Sequence, residues 1–315
     1  MPECHCHPCY SGAICDIPKP DPCANNGACG AHGTCAYDQA TCSNQYCVCD
    51  PGYTGPFCIQ ILPTPPLPRD CYDIYQTTAV DGVYAIQLPN NNAVEVLCDL
   101  TGGGWTVIQS RTSDGMDFNR LYDQYKSDFG NPGSSFWLGL ENIHSLTAQN
   151  ATPYALKIDL CCHSAAKAET YDYFYVADSA DKYRLNVSSG TGNAGDGFNY
   201  IAYTFTDNGS QFSTFDNYNG QFPAAGLCTS FGGNGGWWFG SCTSNLNGFL
   251  SANSSDYDPQ TCELIAIPTN GPGLTWNTDV LYTKARMKVI RYSQLPSLIR
   301  DSAYEHQQLA AFCSF

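Results

Sequence analysis

The 315-residue sequence predicts an α+β chain: a mixed α and β domain of about 220 residues, preceded by small disulfide-rich β modules. Three observations carry this. Cysteines crowd into residues 1–58, within a chain that holds 19. The segment "IQILPTPPLPRD" (59–70) then interposes four prolines, which favour an extended, semi-rigid spacer. Beyond it the pattern changes: strand-like runs such as "YALKIDL" and "YDYFYVA" alternate with the helix-like "FNRLYDQYKSDF" and "ENIHSLTA". The expected divisions are a partial module (1–18), a complete module (19–58), a proline-rich linker (59–69), the large domain (70–292) and a tail (293–315) with one short helix after Pro296.

Composition narrows the function. With 14 basic against 29 acidic residues the net charge is −15, so the surface repels phosphate backbones and anionic lipid, and nucleic acid is not an expected partner. No apolar run approaches the roughly 18 residues that cross a bilayer, and no membrane insertion is expected. The cysteine usage suits an oxidising, extracellular compartment. The opening "MPECHCHPCY" offers no basic start followed by an apolar stretch. A fragment is therefore expected, beginning partway through a module, with its secretion signal upstream.

The N-terminal spacings are readable. Cys23, Cys29, Cys35, Cys47, Cys49 and Cys58, the last three within "CVCDPGYTGPFC", resemble the epidermal growth factor-like module. The resemblance implies pairing of Cys23 with Cys35, Cys29 with Cys47 and Cys49 with Cys58, and leaves Cys42 as an extra thiol. So small a unit buries too little apolar surface to fold without such bridges. "CHCHPCYSGAIC" (4–15) resembles the closing half of the same module, with Cys9 where the family usually has glycine and Cys6 expected to pair with Cys15. The competing reading of "CHCHPC" is a zinc cluster. "DIPKPDPC" lacks the acidic residues of the calcium-binding subtype, and Thr34 in "CGAHGTC" matches that family's O-fucose pattern.

From Asp70 onward, "RDCYDIYQTTAVDGVYAIQLP", "VLCDLTGGGWTVIQSR", "FNRLYDQYKSDFG", "FWLGLENIHSLT", "YALKIDL", "SNLNG" and "ARMKVIRY" occur in the order of the fibrinogen C-terminal, or fibrinogen-related, domain. The resemblance covers residues 70–292 and implies an antiparallel sheet with a loop-rich ligand subdomain. It also implies disulfides Cys71–Cys98 and Cys228–Cys242, the second framing a shallow pocket. Trp237 and Trp238 sit between those last two cysteines, in "CTSFGGNGGWWFGSC". One is expected to fill the small core and Trp238 to wall the pocket, in an aromatic cage with Phe231, Phe239 and Tyr282.

Departures from the family bear on its site. The family's calcium carboxylates fall here on Tyr218 and Gly220 of "FSTFDNYNG", leaving Asp216, Asn217 and Asn219 as a weak calcium set. Thr243 stands where histidine is frequent, and Gly232 where tyrosine is common. No other cofactor is expected. Sequons at Asn150, Asn186, Asn208 and Asn253 predict N-glycosylation.

Two motifs point elsewhere. "GTGNAG" (190–195) satisfies G-x-G-x-x-G, yet "DGFNYIAYTF" is a poor helix start and no dinucleotide site is expected. The vicinal Cys161 and Cys162, at the end of a predicted strand, face opposite sides. One is expected in the core and the other bridging to Cys262 or Cys313. With 19 cysteines at least one of them, Cys4 among the unassigned, lacks an intrachain partner, which leaves room for a disulfide-linked multimer. No G-x-S-x-G elbow or histidine constellation suggests hydrolysis. The resulting expectation is a secreted, non-enzymatic, lectin-like glycoprotein that binds glycans or acetylated groups on cell or microbial surfaces. The alternative is a matrix or cell-adhesion protein that binds extracellular proteins through the same domain.

Overall fold

The computed structural model describes the chain outside residues 1–4, 22, 25–28, 39, 41, 62–65, 113–114, 149–152, 163–164, 203, 222–227, 229–234, 241, 251–257, 259–273, 277–281, 296–308 and 315. Two compact units are formed, Met1–Pro66 and Leu67–Phe315.

The first unit is a set of small hairpins. β1 (Tyr10–Ser11) pairs β2 (Ile17–Pro18), β3 (Gly33–Asp38) pairs β4 (Ser43–Cys49), and β5 (Tyr53–Thr54) pairs β6 (Gln60–Ile61), all antiparallel. Its bridges are Cys6–Cys15, Cys9–Cys42, Cys23–Cys35, Cys29–Cys47 and Cys49–Cys58. Two sequence oddities thereby explain each other. Cys42 is not a spare thiol, because it bonds Cys9, the cysteine standing at a usual glycine position. Gln60 and Ile61, assigned from sequence to the linker, close the last hairpin. Cys4 lies outside the described residues.

The second unit begins with α1 (Cys71–Tyr75), whose N-cap Asp70 accepts from the N–H groups of Tyr72 and Asp73. Then follow β7 (Gly82–Gln87), β8 (Ala93–Asp99), β9 (Trp105–Arg111), α2 (Tyr122–Lys126), β10 (Phe129–Gly130), β11 (Phe136–Trp137), α3 (Leu140–Thr147), β12 (Tyr154–Cys162), β13 (Ala165–Val176), β14 (Leu185–Val187), β15 (Gly190–Gly192) and β16 (Lys284–Arg291). These ten strands form one antiparallel sheet in the order β10-β11-β9-β16-β12-β13-β14, with β8 also on β9, β7 on β8 and β15 on β13. The helix expected across residues 118–129 is confined to α2, and the Tyr125 hydroxyl donates back to the Phe118 carbonyl 2.7 Å away.

Alternation along β12 sorts the sheet into two chemistries. Leu156, Ile158 and Leu160, with Ala285, Met287 and Val289 of β16, join Leu140, Ile143 and Leu146 of α3 in the main core. On the opposite face, Lys157 and Asp159 stand across from Lys288 and Arg286. There Lys288 Nζ lies 2.6 Å from Asp99 and 2.9 Å from Asp159, and Arg286 3.0 Å from Asp159. Burial alone would raise both carboxyls, but Lys288 and Arg286 more than offset it and hold them below the usual carboxylate range. Lys288 also lies 5.6 Å from the centre of the Trp105 ring.

The last strand is tied to the first helix, because Arg291 grips Asp70 at 2.7 Å and Tyr154 donates to the same carboxylate at 2.6 Å. Cys71–Cys98 closes the start of the unit and Cys161–Cys313 its end. Cys162 is disulfide-bonded as well, so neither member of the vicinal pair remains a core thiol, and Cys262 lies outside the described residues. In the tail, residues 309–313 are helical.

Candidate functional site

The segment closed by Cys228–Cys242 is held from inside. Trp237 pairs its backbone with Ser213, stacks on Phe198 at 5.7 Å, and donates its indole N–H to buried Asp207. Asp207 also accepts from the Gly240 N–H at 2.9 Å. At Gly240 a Cβ would collide with the Thr206 carbonyl oxygen, so only glycine lets the two strands of chain meet. Trp238 is equally enclosed. Its N–H donates to the Tyr183 carbonyl at 2.7 Å, and its ring meets Phe212 edge-on at 5.2 Å. Both indoles have 0% exposure. Among the described residues Trp238, expected to wall the pocket, is thus enclosed, because a hydrogen bond and aromatic neighbours turn its ring inward.

The remaining expected cage is also interior: Phe239 is 0%, Tyr282 3% and Thr243 6% exposed. Phe231 and Gly232 lie outside the described residues. The "SNLNG" block works as a clamp. Asn245 and Asn247 donate to the carbonyls of Gly235 and Gly236, while Gln109 of β9 donates to Leu246 and Asn247. Burial leaves amides little choice but to pair. Sequence reading gave Asp207 and these asparagines no role, since an isolated acid in "TDNG" has no signal of its own.

The outer face of the site is the segment Phe215–Gln221, with Ser213 and Thr214 buried beneath it. Phe215 is half-exposed, and Asp216 and Asn217 are exposed. The expected calcium donors are already engaged. Asp216 Oδ1 accepts from the Thr214 hydroxyl at 2.7 Å and from the Tyr122 N–H at 3.0 Å, adding to the Gln124 side chain that takes the Leu121 N–H at the start of α2. The Asn217 carbonyl accepts from Thr214 N–H, and Asn219 Oδ1 accepts from Lys182 Nζ at 2.7 Å. Calcium asks for six or more oxygens with carboxylates among them. This set, with one spoken-for carboxylate and an ammonium in place, does not fit the ion.

Other sequence expectations find structural places. In "GTGNAG", Gly190–Gly192 pairs with β13, and Gly195 N–H donates to buried Glu169 at 3.0 Å, so the glycines follow a sheet edge. Asn208 Nδ2 donates to Val187 and Asn199 while its Oδ1 accepts from Val187 N–H. A glycan on that nitrogen would displace at least one of these two donations, which disfavours the expected site at Asn208. Asn186 is half-buried on β14, Thr34 is exposed on β3, and Asn150 and Asn253 lie outside the described residues. A cavity of about 290 Å³ opens on the other face of the sheet, against Lys157, Thr170, Asn193 and Leu309. Among the described residues, no helix is long and apolar enough to cross a membrane, and no three His, Cys, Asp or Glu gather as metal ligands.

Residues 67–290 match the family described as fibrinogen beta and gamma chains, C-terminal globular domain. Fibrinogen-like protein A of Apostichopus parvimensis is 38% identical over 200 residues, covering 60% of this chain and 67% of that protein. Angiopoietin-1 of Homo sapiens is 38% identical over 190 residues, covering 58% of this chain and 36% of its own length. The chain thus spans about a third of the angiopoietins it matches. Among solved structures, the fibrinogen-like globe domain of human ANGPTL2 superposes with a TM-score of 0.61 at 28% identity, over 71% of this chain and 99% of that domain. Lamprey fibrin D-dimer, solved with the peptide Gly-His-Arg-Pro-amide, gives 0.62 at 26% identity, over 73% and 75%. The ten-stranded sheet, the disulfide-framed tryptophan pair and these matches agree: the chain belongs to the fibrinogen C-terminal domain family.

Proposed function

We propose that this protein acts outside the cell as a non-enzymatic recognition molecule, and that its fibrinogen-related domain binds a protein partner through the surface around Phe215–Gln221. The observation that carries this is the burial of Trp238, Phe239, Thr243 and Tyr282. An acetyl-binding cage needs those groups at a surface, whereas a protein partner needs only a shaped exterior with an exposed aromatic such as Phe215. The relationship to the angiopoietins and to a fibrin fragment solved with a peptide supports the same reading. The dense disulfide framework supports an extracellular setting.

The test is binding of the purified chain to cultured cells pretreated with protease or with glycosidases, alongside a glycan array and acetylated albumin. Loss after protease alone, with no signal on the array or the albumin, is expected. Saturable binding to acetylated albumin or to an acetylated glycan would overturn the protein-partner reading in favour of lectin-like recognition of glycans on cell or microbial surfaces.

A further inference from the structure

We infer that Lys182 is the positioning residue of the Ser213–Gly220 loop, an ammonium doing the work of a divalent cation, so that this surface is set without calcium. Lys182 follows the 3-10 helix Ser179–Asp181 with a left-handed backbone, φ 51°. It holds the loop at two points. Its carbonyl accepts from the Phe212 N–H at 3.0 Å, and its Nζ donates to Asn219 Oδ1 at 2.7 Å. Asn219 passes the constraint on: its Nδ2 donates to the Phe212 carbonyl at 3.0 Å, and its N–H to Ser213 Oγ at 2.9 Å. The neighbouring acid does not compete for the ammonium, because Asp181 is occupied by Arg184 and by the Gln211 amide.

The space a carboxylate would need is also filled. At Gly220 a side chain would meet the Tyr218 ring and the Phe239 carbonyl, and the Tyr218 hydroxyl lies 3.7 Å from Cys228 Sγ. A calcium ion entering here would meet the positive Lys182 at close range, with one carboxylate to offset it. A lysine tethered to the fold, by contrast, is present at any calcium concentration. The inference uses the proposed function only in naming the loop a recognition surface.

Hydrogen exchange of the full chain at the Thr214 and Asn219 amides, with millimolar calcium or with chelator, tests it without any partner, so its failure and that of the partner reading are separable. In the wild type the two conditions are expected to coincide. Lys182→Met, a change at an exposed side chain, is expected to speed exchange at both amides about tenfold, with no recovery on adding calcium. Lys182→Arg, which keeps a cationic donor on the same backbone, is expected to retain most of the wild-type protection. Calcium-dependent protection in the wild type, or an unchanged rate in Lys182→Met, would overturn the assignment.

Discussion

Trp237 and Trp238 make the point that identical neighbours share a fate when each finds its own acceptor. Asp207 takes one indole N–H and the Tyr183 carbonyl the other, and the rings lie 5.4 Å apart within one aromatic cluster. Trp237→Ala and Trp238→Ala should therefore each cost about 3–5 kcal/mol, as large-to-small core changes do. Denaturant unfolding of the two variants checks this, and near-wild-type stability in Trp238→Ala would contradict its burial. The asparagines divide differently. Because the Asn208 amide nitrogen is spent on Val187 and Asn199, peptide mapping of the chain expressed through a secretory host should find glycan at Asn186 and none at Asn208.

At the scale of elements, the polar face of the sheet is the costly feature. Lys288 sits between Asp99 and Asp159, and all three are buried. Lys288→Met would remove the ammonium shared by two buried carboxylates and leave them Arg286, with Lys157 near Asp159, at a cost of about 3–5 kcal/mol. The pH dependence follows from sign. Both carboxyls are held below their unfolded values, so their contribution is complete above the ordinary carboxylate pKa and disappears as pH falls through the folded values. Asp73, lowered to about 2 chiefly by Arg69 and Arg291 against the cost of burial, acts in the same direction. The melting temperature should be level near neutrality and fall below about pH 4. In Lys288→Met the acid loss should be shallower, since less depression remains to be lost.

For the whole second unit, the longest closure matters most. Cys161–Cys313 spans 152 residues and brings the tail helix onto the sheet, where Lys284 Nζ reaches the Phe312 carbonyl and Arg286 lies 4.3 Å from the Phe312 ring centre. Chain entropy alone assigns such a loop roughly 5 kcal/mol, and since Cys162 is cross-linked too, about 2–4 kcal/mol is the expected loss in the Cys161→Ala, Cys313→Ala variant. Thermal unfolding would detect it. The described disulfides all close within one unit or the other, so each unit carries its own covalent framework.

Local pattern was enough for much of this. Alternation located β12 and β13, cysteine spacing separated the small hairpins from the large domain, and the ordered blocks identified the fibrinogen-related fold. What the sequence determined were features written in neighbouring residues: periodicity, turn chemistry and the order of motifs. The tertiary structure decided the rest, because it depends on groups far apart in the chain. Nothing near Cys42 names Cys9 as its partner, and nothing in "DKYR" says that Lys182 reaches Asn219, 37 residues on. Likewise "GGWWFG" reads equally as pocket or core until Asp207 and Tyr183 are brought beneath it. Burial and hydrogen-bond partnership are properties of the packed chain, so whether an aromatic faces a ligand or the interior is settled only when the segments that cover it have folded into place.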